Sequence, residues 1–329
     1  MHLFPYLPTD LRAALARLAE GVSRKAIAEL AAAQSHIYRS GGGSHCIATT
    51  DDALAYAFTR LPATYAATAA VFNAMRETLP KFQPHTILDV GAGPGTAAFA
   101  AVQAFETIVD ICLVDANASL RNLALGLMGE AGSEPLQQVV HRQSYQQGDA
   151  LTLLADAQPA DLVIASYTAG EIADEPARLA QLLWAATAGA LVIIEPGTPA
   201  GYRRILRMRD ELVAAGAHVA APCPHDGPCP LRPPDWCHFA QRLPRSRDHL
   251  HVKGAAAPFE DEKFSYVVLS REKPLSIDSR VLAPPKITKS AVTAKLCTGG
   301  GVVTDVAARR AGDAYRRHKS WRWGGNVSR

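Results

Sequence analysis

The sequence predicts an α/β protein: a doubly wound, mostly parallel seven-stranded sheet, with a helical N-terminal region and a Cys-rich insertion between the last two strands. Three observations predict it. From residue 86 onward, short apolar segments alternate with helical ones, the pattern of successive β-α units. A glycine-rich turn at residues 91–95 joins the first of these strands to the first helix. Segments such as Leu191-Val192-Ile193-Ile194 are apolar without interruption, as in strands covered on both faces.

The elements follow in order. Residues 9–34 read as helical, with Leu11, Ala14, Leu15 and Leu18 at helical spacing. Gly41-Gly42-Gly43 is a break. Residues 51–79 read as a helix pair interrupted at Pro62. Strands are then expected at 86–90, 110–114, 161–166 and 190–195, with helices at 96–105, 118–129, 175–186 and 200–215. Residues 218–221 make a sixth strand and 264–270 a seventh, separated by a Pro- and Cys-rich stretch. Short β-like pieces and a basic tail follow Pro274. The expected division is a helical region at 1–80, a central domain at 81–272 including the insertion 222–260, and a C-terminal extension at 273–329.

The 329 residues are 48% hydrophobic and 20% charged, which suits an ordinary globular chain with a sizeable core. A net charge of +3 does not by itself select nucleic acid as a partner. The tail 303–329 is locally basic, with seven Lys/Arg against two acids. No apolar run reaches the roughly 18 residues of a membrane span. The first residues lack a signal-peptide pattern, and Asp10 and Glu20 disfavour an organellar presequence. A cytoplasmic monomer that does not associate with membranes is the expectation.

Gly91, Gly93 and Gly95 let the backbone turn tightly ahead of a helix whose free N–H groups face a ligand. A nicotinamide fingerprint wants Gly or Ala at its sixth position, where this chain has Thr96. The G-x-G-x-G spacing, with Asp89 just ahead, resembles motif I of S-adenosylmethionine (SAM) dependent methyltransferases. The resemblance implies a Rossmann-like SAM-dependent methyltransferase fold, with the loop facing the amino-acid end of SAM. It places Asp115, ending the second strand, against the ribose hydroxyls. Asp149 then lies near the adenine and Ser166 at the end of the fourth strand. The competing reading is a doubly wound domain whose glycines serve turn geometry alone.

Of six cysteines, Cys112 lies in an apolar strand and Cys46 follows the glycine break. The other four, Cys223, Cys229, Cys237 and Cys297, are metal-ligand candidates, since such density outside a secreted scaffold favours metal over disulfide. Their spacing is not the C-x₂-C of zinc ribbons, and from spacing both zinc and an iron–sulfur cluster stay open. His225 and His238 stand nearby in sequence as further ligands or supporting donors.

The segments LDVGAGPGT, CPHDGPCPL, DWCHF and KLCTGGG, with DALAYAFTRLPATYAA before them, resemble the methyltransferase-like proteins of the mitochondrial small ribosomal subunit and their bacterial relatives. The likeness runs from about residue 45 to the C-terminus. It implies a four-iron, four-sulfur (4Fe-4S) cluster held by Cys223, Cys229, Cys237 and Cys297. It also implies a partner in small-subunit ribosomal RNA or a pre-ribosomal particle. The tail tryptophans Trp321 and Trp323, beside Arg322, then either stack on RNA bases or dock on the core.

Methyl transfer mainly needs positioning, because SAM brings the activated group. The segment after the fourth strand, IASYTAGEI, lacks the Asn/Asp-Pro-Pro-aromatic motif of amine methylation. Tyr167 and Glu171 are the polar catalytic candidates it offers. Neither Cys46 nor Cys112 has the setting of a pyrimidine-attacking nucleophile. Three functions are therefore carried forward: an RNA methyltransferase, a non-catalytic assembly factor, and a small-molecule methyltransferase with structural zinc.

Overall fold

The computed structural model describes residues 2–130, 143–172 and 176–328. Glu175, expected to begin a helix, and Arg329 of the basic tail lie outside them.

The N-terminal region is helical but divided differently from the expectation. The stretch read as helical at 9–34 forms two helices, α1 (Thr9–Leu18) and α2 (Arg24–Arg39). Gly21, at φ 81°, ends the first run, and the Ser23 side chain caps the second by accepting from the Ala26 N–H. Helix α3 (Thr50–Thr78) runs unbroken through Pro62, so the expected interruption is absent. An interior proline costs about 3 kcal/mol. Burial along this helix outweighs it: Leu61, Tyr65, Phe72 and Met75 are all core residues, each contributing roughly 1.5–3 kcal/mol. A capping box between Thr49 and Asp52 fixes where it starts.

The large sheet follows the expected plan. It contains β1 (Thr86–Val90), β2 (Asp110–Asp115), β3 (Gln143–Gln147), β4 (Ala160–Ser166), β5 (Thr187–Pro196), β6 (His218–Ala221), β7 (Phe239–Pro244) and β8 (Phe259–Ser270). The order is β3-β2-β1-β4-β5-β8-β6, with β7 added on β8. Strands β3, β2, β1, β4 and β5 are parallel, and β8 runs antiparallel between β5 and β6. Helices α4 (Thr96–Ala104), α5 (Ala118–Glu130), α6 (Ala150–Ala155), α7 (Pro176–Ala185) and α8 (Pro199–Ala214) connect the strands, of which the central β1, β4 and β5 are buried on both faces. The insertion between the last two strands of the plan is itself structured. It holds β7 and α9 (Arg247–Val252), and β8 begins five residues before the expected 264.

The C-terminal pieces form a second sheet: β9 (Ser279–Val281), β10 (Lys286–Ile287), β11 (Ala291–Thr298), β12 (Gly301–Ala308) and β13 (Asn326–Val327). Its pairings are antiparallel, and Val281, Ala294, Leu296, Trp321 and Val327 form its core. Helix α10 (Asp313–Ser320) carries much of the basic tail.

Candidate functional site

The order β2-β1-β4 places a topological switch between β1 and β4, where such sheets bind ligands at their carboxyl ends. The glycine loop sits there. Gly91, Gly93 and Gly95 have φ of 66°, 53° and 79°, so all three adopt the left-handed conformation. The Gly91 and Ala92 N–H groups both donate to Val114 O, at 2.8 and 3.0 Å, tying the loop to β2. The Gly93 N–H donates to Asp115 Oδ2 at 2.8 Å, and the Asn117 N–H donates to Oδ1 at 2.8 Å. Loop and second-strand acid therefore form one unit. Tyr145 closes the side by donating its hydroxyl to Gly93 O at 2.8 Å.

Asp89 is buried beneath the loop. Its Oδ2 accepts from the Ala98 N–H at 3.1 Å, and its Oδ1 has no partner. Burial pushes its pKa up to about 7, with the Ala98 N–H opposing and Asp115 adding to the rise. Burial also raises Asp115, against the N–H groups it accepts from. Ser166, at the end of β4, is buried with an unpartnered Oγ. Asp149 lies just past β3 at the same edge, exposed, where its carboxylate caps α6 by accepting from the Thr152 N–H and hydroxyl.

The sequence did not reveal what crosses this edge. The turn Ser44–Cys46 and the residues after it form a strap. Asn117 Nδ2 donates to Ser44 O and Ile47 O, both at 2.9 Å, and the Ser119 hydroxyl donates to Ala48 O at 2.9 Å. On the other side, the Ser44 N–H and Oγ donate to Glu171 Oε2 at 3.0 and 2.6 Å. Asn117 follows β2 and Glu171 follows β4, so the strap spans the carboxyl end of β1, over the glycine loop. Gly41 and Gly42 lead into it; a Cβ on Gly42 would overlap the Ile37 side chain.

Beside the strap opens a cleft of about 1230 Å³. Tyr38, Tyr56 and Tyr167 line it, with Arg39, Arg60 and Arg204. Tyr167 has φ 59°, a left-handed conformation that costs a non-glycine residue about 1–3 kcal/mol. Its hydroxyl donates to Glu262 Oε1 at 2.8 Å, and Arg60 pairs with the same carboxylate at 3.0 Å. Glu195 pairs with Arg204 at 2.6 Å, and its Oε1 is buried without a partner. Both proposed catalytic side chains are thus engaged: Tyr167 with Glu262, and Glu171 with the strap.

The four cysteines converge although they come from separate elements. Cys223 follows β6, Cys229 and Cys237 lie in the insertion, and Cys297 is on β11 of the second sheet. All four line one small cavity of about 30 Å³, together with Arg209 and Arg280. None forms a disulfide. Burial raises the Cys223 thiol, with Arg209 opposing; burial likewise pushes Cys237 well up and Cys297 up to about 12, with the neighbouring thiols adding. Among the described residues, no three His, Cys, Asp or Glu side chains meet closely enough to hold a single metal ion. His225 Nε2 lies 4.0 Å from Cys297 Sγ, while His238 is held between Trp236 and Trp323. Trp236 donates to Gly197 O at 3.0 Å, anchoring the cysteine loop beside the end of β5.

The tail tryptophans dock on the body of the protein. Trp321 is buried against His318, and Trp323 Nε1 donates to His238 O at 3.0 Å. Of the two expectations for them, docking on the core is the one the contacts match. Sequence reasoning missed Asn117, Glu262, Arg60, Arg209 and Arg280. Of these, Asn117 stood two residues past Asp115 and Arg60 lay within the segment DALAYAFTRLPATYAA.

The family described as mitochondrial small ribosomal subunit Rsm22 matches residues 50–328. The human ribosome assembly protein METTL17, mitochondrial, is 30% identical over 82% of this chain and 61% of its own length. The Rsm22-cox11 tandem protein 2, mitochondrial, of Schizosaccharomyces pombe is 28% identical over 68% of this chain and 32% of its own length. The chain thus spans less than two thirds of these relatives. Among solved structures it is similar to magnesium protoporphyrin IX methyltransferase from Synechocystis PCC 6803 with bound SAM, at 9% identity and TM-score 0.40, covering 81% of this chain and 99% of that one. The matches to mitochondrial proteins overturn the cytoplasmic expectation. That expectation leaned on Asp10 and Glu20, and two charges do not set where a protein resides.

Proposed function

The chain belongs to the mitochondrial small ribosomal subunit Rsm22 family, and on that premise we propose that it is a SAM-binding protein that acts on ribosomal RNA during small-subunit assembly. The carrying observation is the cleft of about 1230 Å³ that opens beside the strap, with three tyrosines and arginines on its walls. Aromatic faces and guanidinium groups are what unpaired RNA bases and phosphates bind.

The cofactor edge fits SAM. Gly91, Gly93 and Gly95 allow close backbone approach, Asp115 is held in place by the loop, and Asp89 Oδ1 and Ser166 Oγ are buried polar atoms without partners. These residues would hold the cofactor, with Asp149 at the rim. SAM, when bound, supplies an activated methyl group. The chain contributes a strap that excludes water from the edge and a strained Tyr167 that orients the cleft floor.

The four-cysteine cavity fits a 4Fe-4S cluster held by Cys223, Cys229, Cys237 and Cys297. Four thiols without disulfides share a cavity with two buried guanidiniums, which is what supports the cluster reading. The cluster would fix the insertion and the second sheet against the main sheet. On this proposal the chain divides into three parts, at residues 80/81 and 272/273.

A second reading, a non-catalytic assembly factor, is favoured by the engagement of Tyr167 and Glu171 in structural hydrogen bonds. The test compares ribosomal RNA methylation and subunit profiles in cells with and without the protein. Loss of a small-subunit methylation supports an enzyme. Defective assembly with all modifications intact supports the second reading. Normal assembly and normal modification contradict both.

A further inference from the structure

We infer that Arg209 and Arg280 are a built counter-charge for a dianionic occupant of the four-cysteine cavity. The inference rests on the cluster reading above. Arg209 comes from α8 and Arg280 from β9, so the pair approaches the cavity from both sheets' sides of the seam. They are 3% and 1% exposed. Burying a guanidinium costs several kcal/mol unless an anion and hydrogen bonds compensate it.

What holds them is mostly neutral. Arg209 Nη2 donates to His225 O at 3.1 Å and Gly227 O at 2.7 Å. Arg280 Nε donates to Pro222 O at 3.0 Å, and its Nη1 to Gly324 O at 2.9 Å. These carbonyls belong to the cysteine loop and the C-terminal segment, so they fix the two side chains against the cavity wall. The carboxylates that do pair with them, Asp210 and Glu77, are 51% and 44% exposed and strongly screened by solvent. One nitrogen of each, Arg209 Nε and Arg280 Nη2, is buried with no partner. Neutral thiols would leave both charges largely uncompensated.

Four thiolates around an oxidised four-iron core of charge about +2 carry a net charge of about −2, which two guanidiniums balance. Nitrogen–hydrogen groups directed at cluster sulfurs also set how readily the cluster takes an electron. Removing a positive charge makes reduction harder.

The experiment uses the full chain, purified anaerobically, as wild type, Arg209→Gln, Arg280→Gln and Arg280→Lys. Iron and acid-labile sulfide are measured per protein, with the cluster midpoint from an EPR-monitored titration. Circular dichroism checks folding. The two glutamine variants are expected to lose iron severalfold faster to a chelator and to shift the midpoint negative. Arg280→Lys, which keeps the charge, stays near wild type in midpoint. Glutamine variants with wild-type iron retention and an unchanged midpoint overturn the inference. If Arg280→Gln fails to fold, Arg209→Gln and Arg280→Lys decide it on the same readouts. A wild-type chain holding zinc and no iron overturns the cluster reading, and zinc retention in the same variants then tests the counter-charge. A chain holding no metal overturns both.

Discussion

Replacing Gly91 with alanine should damage the fold, while the same change at Gly93 should not damage it comparably. Both glycines have positive φ, so each substitution carries the left-handed penalty of about 1–2 kcal/mol. They differ in what surrounds them. A Cβ on Gly91 would overlap Thr168 Oγ1 and Cγ2 and lie 2.8 Å from Thr168 Cβ. Thr168 is buried and donates its hydroxyl to Val90 O at 3.1 Å, so it cannot swing away without breaking that bond. Overpacking of this kind adds about 1–3 kcal/mol. At Gly93 the nearest atom is Leu120 Cδ1 at 3.7 Å, an ordinary contact. The expected cost of Gly91→Ala is therefore about 2–5 kcal/mol, a melting decrease of roughly 3–7 °C for a chain of this length. Gly93→Ala should lose roughly 1.5–3 °C. Thermal unfolding followed by circular dichroism, without cofactor, reads both, and Gly91→Ala/Thr168→Ala should recover part of the loss. Equal melting of the two single variants would refute the steric reasoning.

Asp89 gives a pH signature. Its folded pKa is raised to about 7, so the stability it contributes is present below its ordinary carboxylate value and is lost as pH rises through about 7. A cationic cofactor favours the ionised form, so SAM affinity by calorimetry should rise up to about pH 7 and then level, and Asp89→Asn should flatten the profile. Glu171→Ala removes both strap bonds to its carboxylate and should weaken SAM binding about five- to tenfold. Amide hydrogen exchange at residues 43–48 should speed up in the same variant, and an unchanged exchange rate would count against the strap. Glu260, though partly buried, is held well below its ordinary value by hydrogen bonds and attraction from His249 and Lys253. Its stabilisation is present above the ordinary carboxylate value and lost as pH falls toward its folded one, so Glu260→Gln should lower neutral-pH stability and flatten the acid side of the melting profile.

The parts of this molecule governed by local periodicity were legible in the sequence. Uninterrupted apolar runs such as Leu191–Ile194 announced strands covered on both faces, and three glycines before Thr96 announced a tight turn into a helix. The four cysteines could be grouped by composition, although only the fold shows Cys297 arriving from another sheet to join them. Long-range contacts left no such trace. Nothing in the Gly41-Gly42-Gly43 break indicates that Ser44 bridges Asn117 and Glu171. Nothing in the sequence marks Arg209 or Arg280 as buried. Pro62 carries a strong local signal for a break, and tertiary packing along α3 overrides it.

The central claim is that this chain works on the RNA of the small ribosomal subunit, and ultraviolet crosslinking in growing cells tests it most directly. The protein is recovered under denaturing conditions and its crosslinked RNA is sequenced. The account predicts enrichment of small-subunit ribosomal RNA at a restricted set of positions, reduced when Tyr38 and Arg39 of the cleft are replaced by alanine. Recovery of no RNA, or of RNA without preference for the small subunit, would contradict it.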